Sequence, residues 1–198
     1  MTRIYRGDAT AAEILYDRYG AALLRFALAM TRTREAAEDV LHDVFIELLR
    51  RPNRYDPKSG SLPSYLYGMV RNRVLRVLRS RNGSEEALDE VGGDSAVHEA
   101  LVSQPTAEEW AARNEAIERV RAAVLLLPLR AREVIALCDL SELPYDTVAA
   151  ILDCPIGTVR SRLHRARASL AVQLAAVSDA AGRAMLSPAT NPTERRRG

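Results

Sequence analysis

Leu143-Pro144-Tyr145-Asp146-Thr147-Val148-Ala149-Ala150-Ile151-Leu152-Asp153-Cys154-Pro155-Ile156-Gly157-Thr158-Val159-Arg160-Ser161-Arg162-Leu163-His164-Arg165-Ala166-Arg167 is the stretch on which the reading of this chain turns. A short helix, a tight turn at Asp153-Cys154 and a longer helix opened by Pro155 are the parts of a helix-turn-helix, whose second helix enters the major groove of DNA. At helical spacing Val159, Leu163, Ala166 and Leu170 face the core. Arg160, Ser161, His164 and Arg165 then project outward, and no acidic residue occurs from Cys154 to Ser178. Such a face attracts phosphate and reads base edges, because arginine pairs bidentately with guanine. The plain alternative is an arginine-rich solvated helix, which charge alone would favour. The turn, the capping proline and the missing carboxylates together favour DNA.

Outward from that motif, apolar residues step by three and four throughout. Leu15, Tyr19, Leu23, Phe26 and Met30 mark a first helix, and the polar turn Thr31 to Arg34 ends it. A second follows through Ala37, Val40, Leu41, Val44, Phe45, Leu48 and Leu49 and stops at Pro52. Its other face carries Glu38, Asp39, His42, Asp43 and Glu47. A third begins at Ser61, a capping residue, with Pro63 in its first turn, and its polar side holds Arg71, Asn72, Arg73, Arg76 and Arg79. Beyond residue 106, Thr106-Ala107-Glu108-Glu109 is a capping box. Trp110, Asn114, Ile117, Val120, Val124 and Leu127 form the stripe of the helix it starts. Segments near 129–139, 144–152 and 155–174 complete the set. No period-2 strand occurs, so the expected fold is all-α.

Of 198 residues, 47% are hydrophobic and 27% charged, the balance of an ordinary globular protein. The longest apolar run, Ala122 to Leu129, is far too short to cross a bilayer. The first residues lack a signal-peptide core, which makes the cytoplasm the expected compartment. Two cysteines, Cys138 and Cys154, and three histidines show no ligand spacing, so neither a metal nor a cofactor is expected. Both cysteines read as small core residues. Charge is segregated: residues 1–83 hold 15 basic and 9 acidic side chains, whereas residues 84–109 hold none and 8. That acidic stretch, rich in Gly and Ser, reads as a flexible linker. The expected layout is a helical domain over 1–82, a linker over 83–107, a helix-turn-helix domain over 108–174 and a disordered tail over 175–198 that begins as a continuation of the last helix.

The motifs resemble those of a known family, the bacterial RNA polymerase sigma factors of the extracytoplasmic-function group. Pro155 to Arg167 is similar to their promoter-reading helix in region 4, with Leu127-Pro128, Arg132-Glu133-Val134 and Leu143-Pro144-Tyr145 resembling its supporting helices. Ala37 to Phe45 resembles the core-polymerase-binding helix of region 2. Ser61-Leu62-Pro63-Ser64-Tyr65-Leu66-Tyr67 with Arg71-Asn72 resembles the element that opens the minus-10 DNA. The likeness covers residues 10–82 and 108–173 in the family's order. Several positions differ: His42 and Asp43 stand for a usual glutamine and glutamate, Tyr65 for a tryptophan, Gly68 for a basic residue and Arg76 for an acidic one. Asp153 replaces a turn glycine and is among the few residues that tolerate a left-handed backbone. Pro144 replaces a capping serine.

What the resemblance implies is a dissociable specificity subunit that binds and makes no bonds. Glu38, Asp39, His42, Asp43 and Glu47 would dock on core RNA polymerase, through its largest and second-largest subunits. Lys58, Ser61, Ser64, Tyr65, Tyr67, Arg71, Asn72, Arg73 and Arg76 would hold the melted non-template strand at minus 10, Tyr65 stacking on a base. Thr158, Arg160, Ser161, Arg162, His164 and Arg165 would bind duplex DNA at minus 35. An anti-sigma protein is an expected partner and could hold the chain at the inner face of the membrane. The chain itself is expected to be a monomer without membrane insertion. A repressor with a ligand-binding or dimerising domain is the nearest competitor, and an enzyme using Asp39 and Asp43 is a distant third.

Overall fold

The computed structural model describes Ile4, residues 8–82 and residues 107–186. The acidic segment from 83 to 106 and the residues after Leu186 lie outside the described part, as does the side chain of Trp110. Among the described residues every regular element is helical. In chain order these are α1 (Ala9–Met30), α2 (Arg34–Arg50), a 3-10 turn (Pro52–Arg54), α3 (Leu62–Asn82), α4 (Ala107–Leu125), α5 (Leu129–Ile135), a π-helical turn (Ala136–Leu140), α6 (Tyr145–Leu152) and α7 (Ile156–Leu186).

Local chemistry explains where these helices start. The Asp8 carboxylate accepts the Ala11 N–H at 3.2 Å, which begins α1 six residues ahead of the expected Leu15. Thr33 caps α2 through the Ala36 N–H at 3.2 Å, and Ser61 caps α3 through the Ser64 N–H at 3.2 Å. Between α6 and α7 the chain reverses at Asp153, whose φ of 50° is left-handed. That conformation lets the Cys154 N–H reach the Ala149 carbonyl at 3.1 Å and close the turn. The expected tolerance of aspartate at this position is thus used.

Two element ends test the sequence reading. The segment expected as one helix over 129–139 changes to π spacing at Ala136, and the chain leaves it through Glu142 in a left-handed conformation (φ 52°). The tail, expected to begin as a helix continuation before turning disordered, continues α7 over residues 175–186. Their alanine and leucine content favours helix, and Leu170, Leu174 and Val177 are partly covered.

Phe26, Leu23, Val40, Leu48, Leu66 and Val70 fill the space between α1, α2 and α3, while Leu127, Ile135, Leu137, Val148 and Leu163 do so between α4 and α7. These form one continuous buried cluster. The two helical groups pack on each other: α3 lies against α6, and α1 against α4, α5 and the π-helical turn. Polar contacts cross the same boundary. Arg71 Nε donates to Glu133 Oε1 at 2.7 Å, and Arg121 and Arg132 donate to the carbonyls of Arg32 and Met30, each at 3.3 Å.

Candidate nucleic-acid interface

Buried Val159, Leu163 and Ala166 fix the rotation of α7 about its own axis. The expected consequence holds for four side chains: Arg160, Ser161, His164 and Arg165 are exposed. Thr158 and Arg162 are half-covered, and an Arg162 guanidinium nitrogen lies 4.0 Å from Cys154 Sγ. Ser161 Oγ donates to the Thr158 carbonyl at 3.1 Å and Arg165 Nε to the Ser161 carbonyl at 3.3 Å, which lays both side chains along the helix. Among the described residues no carboxylate pairs with Arg160 or Arg165. Arg167 differs, because Asp139 holds it at 2.7 and 3.0 Å. That double hydrogen bond and the charge behind it raise the Arg167 pKa above its already high value and tie α7 to the π-helical turn.

A second polar surface forms on α3 and the loop before it. The Asp56 carboxylate accepts the Lys58 N–H and the Ser59 hydroxyl, both at 2.9 Å. Tyr55 donates its hydroxyl to the Gly60 carbonyl at 3.2 Å, so the loop is braced from inside. Ser61 and Ser64 share a hydroxyl contact at 2.9 Å. Tyr65 is half-buried, with its ring centroid 5.3 Å from that of Tyr55. Burial raises its phenol pKa, opposed by nearby Arg54 and assisted by Glu47. Tyr55 escaped the sequence reading, although an aromatic residue bordering this loop was the available signal.

Tyr67 is corrected by its surroundings. Only 3% exposed, it meets Phe26 edge-on at 5.5 Å between ring centroids and belongs to the core, so it offers no surface to DNA. Lys58, Ser61, Asn72 and Arg76 are exposed, while Ser64, Arg71 and Arg73 are partly covered. A cleft of about 370 Å³ separates α2 from α3, with Glu47, Arg54, Tyr65, Asn72 and Arg76 among its lining.

The acids of α2 divide into two sets. Asp43 accepts Arg73 Nε at 2.9 Å, and Glu47 accepts Arg54 at 2.7 Å; both point toward the cleft. Glu38 pairs with Arg34 along its own helix at 2.6 Å. Asp39 and His42 are exposed on the outer side and enter none of these pairs. The one-turn spacing that placed all five on one polar face did not show that α3 and the 3-10 turn each supply an arginine to part of it.

Cys138 is buried, and that burial, with Asp139 adding to it against Arg167, pushes its thiol up to about 11. Cys154 is half-buried in the turn. Among the described residues no group of three or more His, Cys, Asp or Glu side chains could hold a metal ion, and no helix is long and apolar enough to cross a membrane.

Comparison with known proteins matches these two surfaces to two named regions. The family described as Sigma-70 region 2 matches residues 15–83, and Sigma-70, region 4 matches residues 117–170. The extracytoplasmic-function (ECF) RNA polymerase sigma-E factor of Haemophilus influenzae is 31% identical over 170 residues, covering 83% of this chain and 88% of that protein. The ECF sigma factor EcfG of Rhodopseudomonas palustris is 29% identical over 153 residues, 77% of this chain and 79% of that one. Among solved structures, the sigma factor RpoE of Bartonella quintana, seen in complex with the anti-sigma factor NepR, superposes with a TM-score of 0.61 at 26% identity, covering 82% of this chain and 97% of that one. With region 2 on α1 to α3, region 4 on α4 to α7 and relatives of this kind along most of its length, the chain belongs to the extracytoplasmic-function group of RNA polymerase sigma factors, which direct core polymerase to promoters.

Proposed function

We propose that each surface performs one step of initiation. The outer side of α2, centred on Asp39 and His42, docks on core polymerase. Tyr65, Asn72, Arg76 and the braced loop from Asp56 to Ser64 receive the unpaired strand at minus 10, Tyr65 by stacking and the arginines through phosphate. The α7 face of Arg160, Ser161, His164 and Arg165 reads duplex DNA at minus 35. The protein acts by binding, in the cytoplasm, and leaves bond-making to the polymerase. An anti-sigma protein, the kind of partner that the Bartonella relative carries, would control it by covering these faces.

The observation that carries this reading is the phase of α7, where three buried residues leave two arginines, a serine and a histidine outward without competing carboxylates. Transcription reconstituted with bacterial core polymerase on genomic promoter fragments tests it. Discrete start sites that depend on the protein are expected, and Arg160→Ala or Arg165→Ala should reduce them about tenfold, as loss of a bidentate base or phosphate contact does. A protein that binds DNA fragments yet neither associates with core polymerase nor yields starts would return the chain to the repressor reading.

A further inference from the structure

Asp43 and Glu47 stand on the polar face of α2 expected to dock on polymerase, yet both are engaged on its other side. Asp43 accepts Arg73 Nε at 2.9 Å and Glu47 accepts an Arg54 guanidinium nitrogen at 2.7 Å, and all four side chains line the cleft of about 370 Å³ between α2 and α3. Tyr65 lines it too. Its phenol responds to both members of one pair, Arg54 lowering and Glu47 raising its pKa, so that pair stands beside the ring. Each of the four charged side chains is 33–56% exposed, and ion pairs so open to water contribute little to folding stability. Their effect lies in the charge they cancel. A carboxylate in contact with a guanidinium leaves no net charge, so two of the three arginines that line the cleft are neutralised. Arg76, exposed and outside these pairs, keeps its charge. A phosphate gains nothing from a neutral wall. An uncharged ring with polar edges does, because it stacks on Tyr65 and meets the lone pairs that the carboxylates retain.

We propose that Asp43 and Glu47 are positioning residues of the minus-10 site rather than polymerase-docking residues: by neutralising Arg73 and Arg54 they make the cleft a seat for an unpaired base and keep backbone phosphate outside it, at Arg76. Removing the carboxylates frees two cations, which draw phosphate into the place of the base. The bases of the strand are then felt less and its charge more. The proposal rests on the assignment of α3 to minus-10 DNA, and it leaves docking on core polymerase to Asp39 and His42.

Holoenzyme reconstituted with bacterial core polymerase tests it, by fluorescence anisotropy of a fluorescein-labelled non-template strand from a start site mapped in the transcription assay. Copies of that strand carry one abasic nucleotide at successive positions near minus 10. For the wild-type protein one abasic position should weaken binding roughly tenfold, the size of a lost base–aromatic stack. Asp43→Asn with Glu47→Gln should reduce that penalty to below about threefold, and should steepen the fall of log affinity with log salt by about 0.7 for each phosphate gained. Its association with core polymerase should stay at the wild-type level. Glu13→Gln with Asp17→Asn removes the same charge from exposed positions on α1 and should change neither penalty nor slope. Either an unchanged penalty or an unchanged slope in the Asp43→Asn, Glu47→Gln protein would overturn the proposal. So would a loss of its association with core polymerase, or an equal change in the α1 control. Failure of the assignment of α3 is seen separately, as a wild-type protein indifferent to every abasic position and start sites indifferent to Tyr65→Ala and Asn72→Ala.

Discussion

Gly68 lies inside α3, and a Cβ built there meets nothing within 4 Å. Mid-helix glycine costs backbone entropy and gains nothing in return at an open site. Gly68→Ala should therefore stabilise the protein by about 0.5–1 kcal/mol, read as a higher urea midpoint at unchanged slope. Single residues also mark the limits of reading from sequence. Asp153 was legible, because few side chains other than glycine accept a left-handed turn. Tyr67 was partly so: it continues the Val70–Val74 stripe at i, i+3 and i+7, and that periodicity points inward, whereas motif likeness pointed to DNA. The partners of Arg71, Arg73 and Arg54 were not legible, since nothing local to an arginine states which distant carboxylate will face it.

Most helices were legible because they bury a stripe whose period survives in the sequence. In α4, however, Ile117 and Val120 of the expected stripe are exposed and only its end, at Val124 and Leu127, is buried, and Leu49 of α2 is exposed as well. The helix ends were less legible. Asp8 extends α1 past the apolar stripe, and the alanine-rich continuation of α7 has a weak period of its own. The π-helical turn at Ala136–Leu140 was invisible, because one extra residue per turn shifts the phase without changing composition. In α7, fold and function fall on different residues of one turn. Leu163→Ala should cost about 2–5 kcal/mol, since a nearly fully buried side chain leaves a cavity. Arg160→Ala, on the exposed face, should stay within about 0.5 kcal/mol while losing promoter activity. Thermal unfolding of both variants beside transcription checks the separation.

At the scale of the whole molecule the acidic stretch within 84–109 falls between the residues matched to region 2 and those matched to region 4, yet the charge pattern gave no sign that the two helical groups pack together. Contacts between groups more than sixty residues apart rest on shape complementarity, and one sequence holds no record of it. The continuous core has a thermodynamic consequence. Calorimetry should show one unfolding transition, and Leu48→Ala in α2 and Leu137→Ala in the π-helical turn should each lower that same transition. Two resolved peaks for the wild-type chain would show that the groups unfold independently.

The uneven pairing of arginines bears on how fast DNA is met. A cation joined to a nearby carboxylate is a dipole whose field fades within a few ångströms, whereas an unpaired one acts out to the Debye length of about 8 Å at physiological salt. Arg54, Arg71 and Arg73 are of the first kind, and Arg160 and Arg165 of the second. Among the described residues exposed Arg76 on α3 also enters none of these pairs, so electrostatic steering of a promoter toward this protein comes from it as well as from α7, and added salt should slow that encounter. The paired arginines, Arg54, Arg71 and Arg73, act later, at contact range, and their share of the affinity lies in residence time rather than in rate of arrival.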